Sequence, residues 1–206
     1  MYNGVLWETT HQGKMKGIPS IGTCCATNPI CMQRQKDKNS VCAKCYAERY
    51  VKMRSTLKQH LTENANILST RLLEKRELPY INQMIYRFES FGDLHNEIHL
   101  KNFIKIAEHN PNTRFALWTK NIWILDNVFI KEMVSKPNNL IVVASSPLLN
   151  KALTITRPYI DHTFTVFDGK YIKEHNIQIN CTSKSCLLCR KCYEKNGSFD
   201  IYEQLK

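Results

Sequence analysis

The chain has 206 residues, of which 43% are apolar and 10% aromatic, and its formal net charge is +11. This composition excludes a disordered chain, and no apolar run of about 18 residues is present that would cross a membrane. The N-terminal sequence is also more polar than a signal peptide. We therefore expect a single cytoplasmic domain over residues 1–206, with no membrane partner.

Nine cysteines fall into two tight groups near the two ends of the chain. The first group, here called the N-terminal set, consists of Cys24, Cys25, Cys31, Cys42 and Cys45. The second group, the C-terminal set, consists of Cys181, Cys186, Cys189 and Cys192. Disulfide-rich secreted proteins are usually short and space their cysteines widely. The tight spacing and the odd number therefore favour metal ligation in a reducing compartment.

The positive charge accompanies the cysteines. Eight Lys or Arg lie between Arg34 and Lys58 against two acidic residues, and six lie between Lys170 and Lys195 against two. Such an excess attracts an anionic substrate, an anionic cofactor or nucleic acid. Alternatively, the cations offset the negative charge of metal-bound thiolates. The charge by itself does not decide between these two interpretations.

The first part of the chain is predicted to be irregular as far as about Thr23, because its glycines and Pro19 prevent a helix. Residues 24–42 are expected to form a loop, since the charged tract QRQKDKNS has no apolar period. From Ala43 onward an apolar stripe at helical spacing predicts a long helix that ends before Pro79.

Five short apolar runs at regular intervals after this helix predict strands. They are Met84–Phe88, Arg114–Trp118, Leu140–Ala144, Thr163–Phe167 and Ile177–Asn180. The first three are rich in β-branched and aromatic residues and do not alternate with polar ones. This pattern is expected of strands that are covered on both faces of a parallel sheet.

Helical patterns over Ile98–His109 and Ile122–Met133 separate these runs. Such strand–helix–strand units predict an α/β fold with a parallel sheet and right-handed crossovers. A hairpin at Asp168–Gly169, which would make the last part antiparallel, is the alternative. The domain then has an N-terminal cysteine loop, a βα core and a C-terminal cysteine tail, at residues 1–45, 46–180 and 181–206.

Polar and charged residues follow the predicted strands, where the loops of a parallel sheet converge on an active site. Arg87 lies near the end of the first of these strands, Asp93 follows it, and Lys120 follows the next. We expect these three side chains to bind a cofactor or substrate. Ser145 and Ser146, which follow a later strand, are explained equally well as helix caps.

The C-terminal set has the spacing C-x4-C-x2-C-x2-C, which is specific for a site of four thiolates. Structural zinc usually uses two C-x2-C pairs separated by a longer loop, whereas closely spaced runs are typical of ferredoxins. A 4Fe-4S cluster is therefore preferred to zinc at this set. Because four cysteines leave no iron open, such a cluster would be structural or would carry electrons.

In the N-terminal set, Cys42 and Cys45 form a C-x2-C pair near the start of a helix, whose positive end favours thiolates. A third ligand has to come from Cys24, Cys25 or Cys31. Three thiolates on a cluster leave one iron open for a ligand, which is how such a cluster becomes catalytic. Four of these cysteines would instead suit a second structural zinc site, and the spacing leaves both interpretations open.

Several stretches, in the same order along the chain, resemble the gene product 88 family of phages and mobile elements. They are GKMKGIPSIGTC (13–24), CYAERYVK (45–52), YRFESFGDL (86–94), NPNTRFALWTK (110–120) and SCLLCRKCY (185–193). The resemblance covers nearly the whole chain but names no reaction. It implies that Cys24, Cys42, Cys45 and the entire C-terminal set bind metal, whereas Cys25 and Cys31 fall outside the family pattern.

The layout is also similar to radical S-adenosylmethionine enzymes, which have a partial parallel (βα) barrel, three cysteines after the first strand and an auxiliary C-terminal cluster. Their glycine-acidic loop corresponds to Gly92 and Asp93, which also match a Ser-Gly-Asp of the gene product 88 family with Phe91 in place of the serine. The similarity implies S-adenosylmethionine as a further cofactor and Gly92 as a further cofactor-binding residue. The chain departs from it because seventeen residues separate Cys24 from Cys42.

These observations predict an iron–sulfur protein with two 4Fe-4S clusters. It would be a redox or radical-type enzyme with a reactive N-terminal cluster and an auxiliary C-terminal one, served by an electron donor. The alternative is a zinc protein without enzymatic activity whose basic face binds nucleic acid. A structural adaptor whose two ends are held by metal is a third hypothesis.

Overall fold

Six strands form one all-parallel sheet and lie side by side in the order in which they occur in the chain. The computed structural model describes residues 5–195, 197 and 199–205. The strands are β1 (Ser20–Ile21), β2 (Ile85–Phe88), β3 (Arg114–Thr119), β4 (Leu140–Ser145), β5 (His162–Phe167) and β6 (Phe199–Gln204). The predicted α/β fold with a parallel sheet is confirmed. Within the described residues β1 and β6 do not pair with each other, so the sheet is open and is not closed into a barrel.

The predicted strand at Ile177–Asn180 is wrong. This segment is irregular, and it contacts β6 through the N–H groups of Asn180 and Cys181, which donate to the carbonyl of Tyr202 at 3.3 and 3.1 Å. The sixth strand is β6 itself, which pairs with β5 along its full length. The ladder between β5 and β6 is longer than one that the four residues of Ile177–Asn180 would form. The predicted cysteine tail therefore contains a core strand, and the C-terminal set precedes the last strand instead of following it.

Helices connect the strands. They are α1 (Pro29–Lys36), α2 (Tyr46–Met53), α3 (Ser55–Thr70), α4 (Glu97–His109), α5 (Ile122–Leu125), α6 (Gly169–His175) and α7 (Cys186–Cys189). A π-helical turn, Asp126–Lys131, extends α5. The long helix predicted from Ala43 is two helices, since the backbone of Arg54 is extended between them (φ −132°, ψ 94°). None of the helices in the described part of the chain is long and apolar enough to cross a bilayer.

Two helices, α1 and α6, begin where the sequence analysis predicts none, and each is capped by a side chain. The side chain of Asn28 accepts hydrogen bonds from the N–H groups of Ile30 and Cys31 at 3.0 and 3.4 Å, and Pro29 occupies the first helical position. The loop predicted over residues 24–42 therefore contains α1. Asp168 caps α6 in the same way, so the alternative hairpin at Asp168–Gly169 is wrong.

One face of the sheet, here called the outer face, is covered by α3, α4 and α5. Phe88 of β2 stacks between Phe103 of α4 and Phe115 of β3, with ring centroids 4.1 and 4.7 Å away. All three rings are fully buried. Burying each one stabilises the fold by about 1.5–3 kcal/mol. This aromatic stack fixes β2 and β3, and with them the loops that follow these strands.

The opposite face, here called the inner face, is covered by the C-terminal cysteine segment. Ile85, Ala116 and Tyr193 are buried together, with Cys186 and Cys192 packed against them. Both faces of the central strands are therefore covered, which explains why β3 and β4 are apolar without alternation. The C-terminal set lies on the sheet as part of its core and is not a separate appendage.

Candidate metal centres at the two cysteine sets

The N-terminal set lies beyond the carboxyl end of β1, where the chain enters its first long connection. Cys24 and Cys25 follow β1 directly, α1 carries Cys31, and a 3-10 turn at Val41–Lys44 leads to Cys45 at the start of α2. Cys24, Cys25 and Cys31 are buried. The set is therefore assembled from four segments of chain on a scaffold made by β1 and two helices.

Cys25 and Cys45 are in thiol–thiol contact. The hydrogen bond between them lowers the pKa of Cys45 to about 6 and raises that of Cys25. Burial opposes the shift at Cys45, but the backbone N–H groups of Ala47 and Glu48 and the charge of Lys120 add to it. This contact therefore favours the thiolate at Cys45 and the protonated thiol at Cys25.

Cys31 belongs to the same group of thiols. Burial raises the pKa of Cys31, and the charges of Asp93 and Cys42 raise it further. Cys25 and Cys31, which the family pattern leaves out, thus lie among the predicted ligands. The prediction that Cys24, Cys42 and Cys45 are the three ligands stays a prediction, because the structure offers five neighbouring thiols. The Asn28–Pro29 cap is the sequence signal that locates Cys31.

Asp93, a predicted cofactor-binding residue, is buried at the end of β2. Its carboxylate accepts hydrogen bonds from Thr119 Oγ1 (2.5 Å), Lys120 N (3.0 Å) and Leu94 N (2.9 Å), and it lies 3.4 Å from Arg34 Nη1. Burial raises the pKa of Asp93, and the charges and hydrogen bonds of these partners oppose the shift. A carboxylate accepts about four hydrogen bonds. Asp93 therefore joins the ends of β2 and β3 to α1, and its contact with a cofactor stays a prediction.

Gly92 lies where the loop after β2 meets the loop after β1. A Cβ at this position would come within 2.5 Å of the Thr23 carbonyl oxygen and 2.8 Å of Glu89 Oε2. Only glycine allows this close approach. The observed role of Gly92 is thus to let the two loops pack, and its predicted contact with a cofactor is not tested by this geometry.

Glu89 is a buried carboxylate beside the N-terminal set that the sequence analysis did not select. It accepts hydrogen bonds from Thr23 N (3.2 Å) and Thr23 Oγ1 (2.9 Å), and it lies 3.2 Å from His99 Nε2. Although burial opposes it, His99 lowers the pKa of Glu89. Its φ of +57° is unusual for a residue other than glycine and is typical of functional sites. Its position directly after β2, at the same strand end that led to Asp93, is the sequence signal that marks this residue.

The C-terminal set is one continuous segment in which all four thiols are half-buried. Burial raises the pKa of Cys192 to about 12, and the neighbouring thiols of Cys181, Cys186 and Cys189 contribute to the shift. The neighbouring thiols therefore disfavour the thiolate of Cys192, as expected of ligands that a cation would bring together.

Lys14 is the main cation at the C-terminal set. Its Nζ donates to Cys181 Sγ at 3.2 Å, to the Cys181 carbonyl at 3.0 Å and to Glu203 Oε1 at 2.9 Å. Although burial opposes it, these hydrogen bonds raise the pKa of Lys14. An open groove of about 810 Å³ runs past this contact and is lined in part by Thr182 and Lys184. The sequence analysis did not select Lys14, whose partners lie near the other end of the chain.

Arg87, a predicted cofactor-binding residue, lies on the inner face of β2. Its guanidinium stacks on the Trp118 ring at 3.8 Å and contacts Met15 Sδ at 3.6 Å. Within the described residues Nε is buried without a hydrogen-bond partner. Burial raises the pKa of Cys186, and Arg87 opposes this shift. Arg87 therefore acts on the C-terminal set, in agreement with the hypothesis that cations offset thiolates.

A polar chain lies beside Arg87. His11 Nε2 is 2.8 Å from Ser20 Oγ, and Ser20 Oγ is 2.7 Å from Ser90 Oγ. Tyr46 OH donates to the Ser90 carbonyl and thereby connects α2 to this series of hydrogen bonds. Burial, reinforced by the charge of Arg87, lowers the pKa of His11 to about 4. His11 is therefore a neutral hydrogen-bonding group at neutral pH.

The thiols are neighbours but do not form a finished coordination sphere. Among residues 5–195, 197 and 199–205, no three His, Cys, Asp or Glu side chains are arranged around one metal position. Chemically, the arrangement offers a thiolate at Cys45, further buried thiols next to it, and cations near both sets.

Comparison with known proteins identifies one family. The model of the family described as gene product 88 matches residues 5–197, which include both cysteine sets. No curated protein and no solved structure matches the chain.

Proposed function

We propose, from the premise that the chain belongs to the gene product 88 family, that it is an iron–sulfur protein with a reactive N-terminal centre and an auxiliary C-terminal centre. The observation that carries the proposal is that two sets made only of thiols lie against one parallel sheet, each with a cation beside it. Lys120 acts on Cys45, and Lys14 binds Cys181. The family itself names no reaction. The proposed reaction class, redox or radical-type, follows from the chemistry of iron–sulfur clusters.

The donor chemistry fits iron–sulfur clusters, which are held by cysteine thiolates. The proposed ligands are Cys24, Cys42 and Cys45 in the N-terminal set and Cys181, Cys186, Cys189 and Cys192 in the C-terminal set. When bound, such a cluster supplies one-electron transfer, and an iron that lacks a cysteine ligand binds a further group. Because its pKa is lowered, Cys45 gives up its proton to metal binding more readily than an ordinary thiol does.

The surrounding residues organise the N-terminal centre. Asp93 and Gly92 hold the loops after β1, β2 and β3 together, and Glu89 anchors the first of these loops through Thr23. In this proposal Lys120 offers a positive charge to the carboxylate of S-adenosylmethionine. The sequential order of six parallel strands supports a partial (βα) barrel of the radical S-adenosylmethionine type as the finer description of the fold.

Metal analysis of protein purified without oxygen tests the proposal. We expect about eight irons per chain with matching acid-labile sulfide, if each set holds a 4Fe-4S cluster. The double variant Cys42→Ser/Cys45→Ser should lose half of this iron, and Cys186→Ser/Cys189→Ser should lose the other half. Protein without iron or sulfide would end the proposal. If iron is present, cleavage of S-adenosylmethionine by the reduced protein is the next measurement.

The alternative is a zinc protein that binds nucleic acid without catalysing a reaction. It is supported by the exposed cations of the segment that carries Cys42 and Cys45, among them Lys36, Lys38 and Arg49. Colourless protein with one or two zinc ions per chain would favour this alternative. The same purification therefore separates the two proposals.

A further inference from the structure

The helix that begins at Tyr46 presents an unusual surface to solvent. Tyr46, Arg49, Tyr50 and Met53 recur at helical spacing and so lie along one side of α2. Tyr46 is 51% exposed and Met53 75% exposed. The opposite side of α2 carries Ala47 and Val51, which are buried. On this side of α2, Tyr46, Arg49 and Met53 are therefore exposed, whereas Tyr50 is half-buried against Phe91.

Cations flank this line of side chains. The guanidinium carbons of Arg54 and Arg49 lie 5.1 and 5.9 Å from the Tyr50 ring centroid. Lys44 and Lys58 are exposed nearby in the chain. We call these residues, together with Tyr46 and Met53, the α2 stripe.

The α2 stripe keeps most of its positive charge. Lys52 of the same helix is paired with Glu48 at 2.7 Å. Within the described residues, none of the four cations of the stripe has a carboxylate within ion-pair distance. The charge of Lys44 also acts on Asp168, the cap of α6, without forming an ion pair. Exposed positive charge outside ion pairs attracts a polyanion, and aromatic rings between the charges accept unpaired bases.

We propose that the α2 stripe binds single-stranded nucleic acid. The cations contact the phosphates, and a base stacks on the exposed ring of Tyr46, with Tyr50 and its two arginines behind it. A duplex offers no free base face to such a ring, which is why the single strand is the preferred partner. Lys44 and Tyr46 of the stripe are the two residues on either side of Cys45. If the proposed function holds, a bound strand passes the reactive centre, and nucleic acid is its substrate class.

Fluorescence anisotropy with a labelled oligo-dT of about 12 nucleotides tests the proposal on the full chain as purified. Four phosphate contacts predict a slope of about −2.8 for log K against log salt, which is about a 50-fold loss of affinity between 50 and 200 mM. The double variant Arg49→Ala/Arg54→Ala should reduce the slope to about −1.4. The matched control Lys170→Ala/Lys173→Ala, which removes two exposed cations from α6, should leave the slope unchanged.

A second pair of variants tests the aromatic contact. Tyr46→Leu should weaken binding roughly ten-fold, because it removes the stacking ring. Tyr46→Phe keeps the ring and loses only the hydroxyl that donates to Ser90, so it should bind as the parent does. Circular dichroism of each variant establishes that it is folded.

Three results would overturn the proposal: no binding at 50 mM salt, an equal loss of affinity in the α6 control, or a duplex of the same length that competes as well as the single strand. Metal content is measured on the same samples. Oligonucleotide binding and the iron–sulfur assignment can therefore fail separately.

Discussion

The two cysteine sets differ in how the chain builds them. The C-terminal set is one short segment laid on the inner face of the sheet, and its four thiols are half-buried. The N-terminal set gathers thiols from several segments at a strand end, and Cys24, Cys25 and Cys31 are buried. A site with ligands close in sequence needs little from the rest of the fold, whereas a site built from separate segments depends on every loop that positions them.

The comparison predicts that damage to the fold affects the N-terminal set first. Asp93→Ala would leave the hydrogen-bond donors of Thr119 and Lys120 and the charge of Arg34 without their buried acceptor. We expect a loss of about 3–5 kcal/mol in the free energy of unfolding, measured by urea denaturation. If the proposed function holds, the N-terminal set should lose metal before the C-terminal set does. Equal loss from both sets would contradict this distinction.

Glu174→Ala is the control for this carboxylate. Glu174 pairs with Lys170 at 3.7 Å, and both side chains are exposed. Exposed pairs contribute about 0–1 kcal/mol. The two variants thus compare a buried and an exposed carboxylate in one chain.

Gly92→Ala sharpens the same comparison with a smaller change. The added Cβ would meet the Thr23 carbonyl at 2.5 Å, so the two loops have to separate. We expect a loss of about 1–3 kcal/mol in the free energy of unfolding. Gly169→Ala is the control, because a Cβ there meets only the flexible end of Gln204 at 3.3 Å. A stable Gly92→Ala protein would mean that the loops do not need this contact.

Lys14→Met tests the C-terminal set alone. Removing the hydrogen bond to Cys181 should speed the loss of metal from this set to a chelator roughly ten-fold, the usual scale for a residue that supports a ligand. Lys184→Met, which changes another lysine of the same groove, should leave the rate unchanged. If the N-terminal set also released its metal faster, the two sets would not be independent.

Acid acts on the fold as a whole, and it does so through two histidines. Burial lowers the pKa of both His11 and His95 to about 4, whereas in the unfolded chain each titrates near 6.5. Between pH 6.5 and 4 the unfolded state binds more protons, so stability falls as the pH falls through this window. His11→Gln and His95→Gln should each flatten the decline, measured as the melting temperature against pH. An unchanged profile in both would rule out these histidines as its source.

The strand pattern was predictable because it is local. Four of the predicted runs became β2, β3, β4 and β5 with boundaries within one residue, since apolar runs of this length without alternation suit a sheet covered on both faces. The strand prediction at Ile177–Asn180 was wrong because a short apolar segment does not reveal whether a longer strand elsewhere in the chain pairs with β5 instead. β6 supplied that partner from beyond the cysteines.

The sequence by itself determined the parallel α/β class, both groups of thiols and the basic character of the segment around α2. These features depend on residue type and short spacing. Only the tertiary structure decided that the Cys25 thiol contacts that of Cys45, that Lys14 binds Cys181, and that Glu89 is buried against His99. Lys14 and Cys181 are 167 residues apart in the chain. Contacts over such separations depend on how the whole sheet and its loops pack, and no local pattern records them.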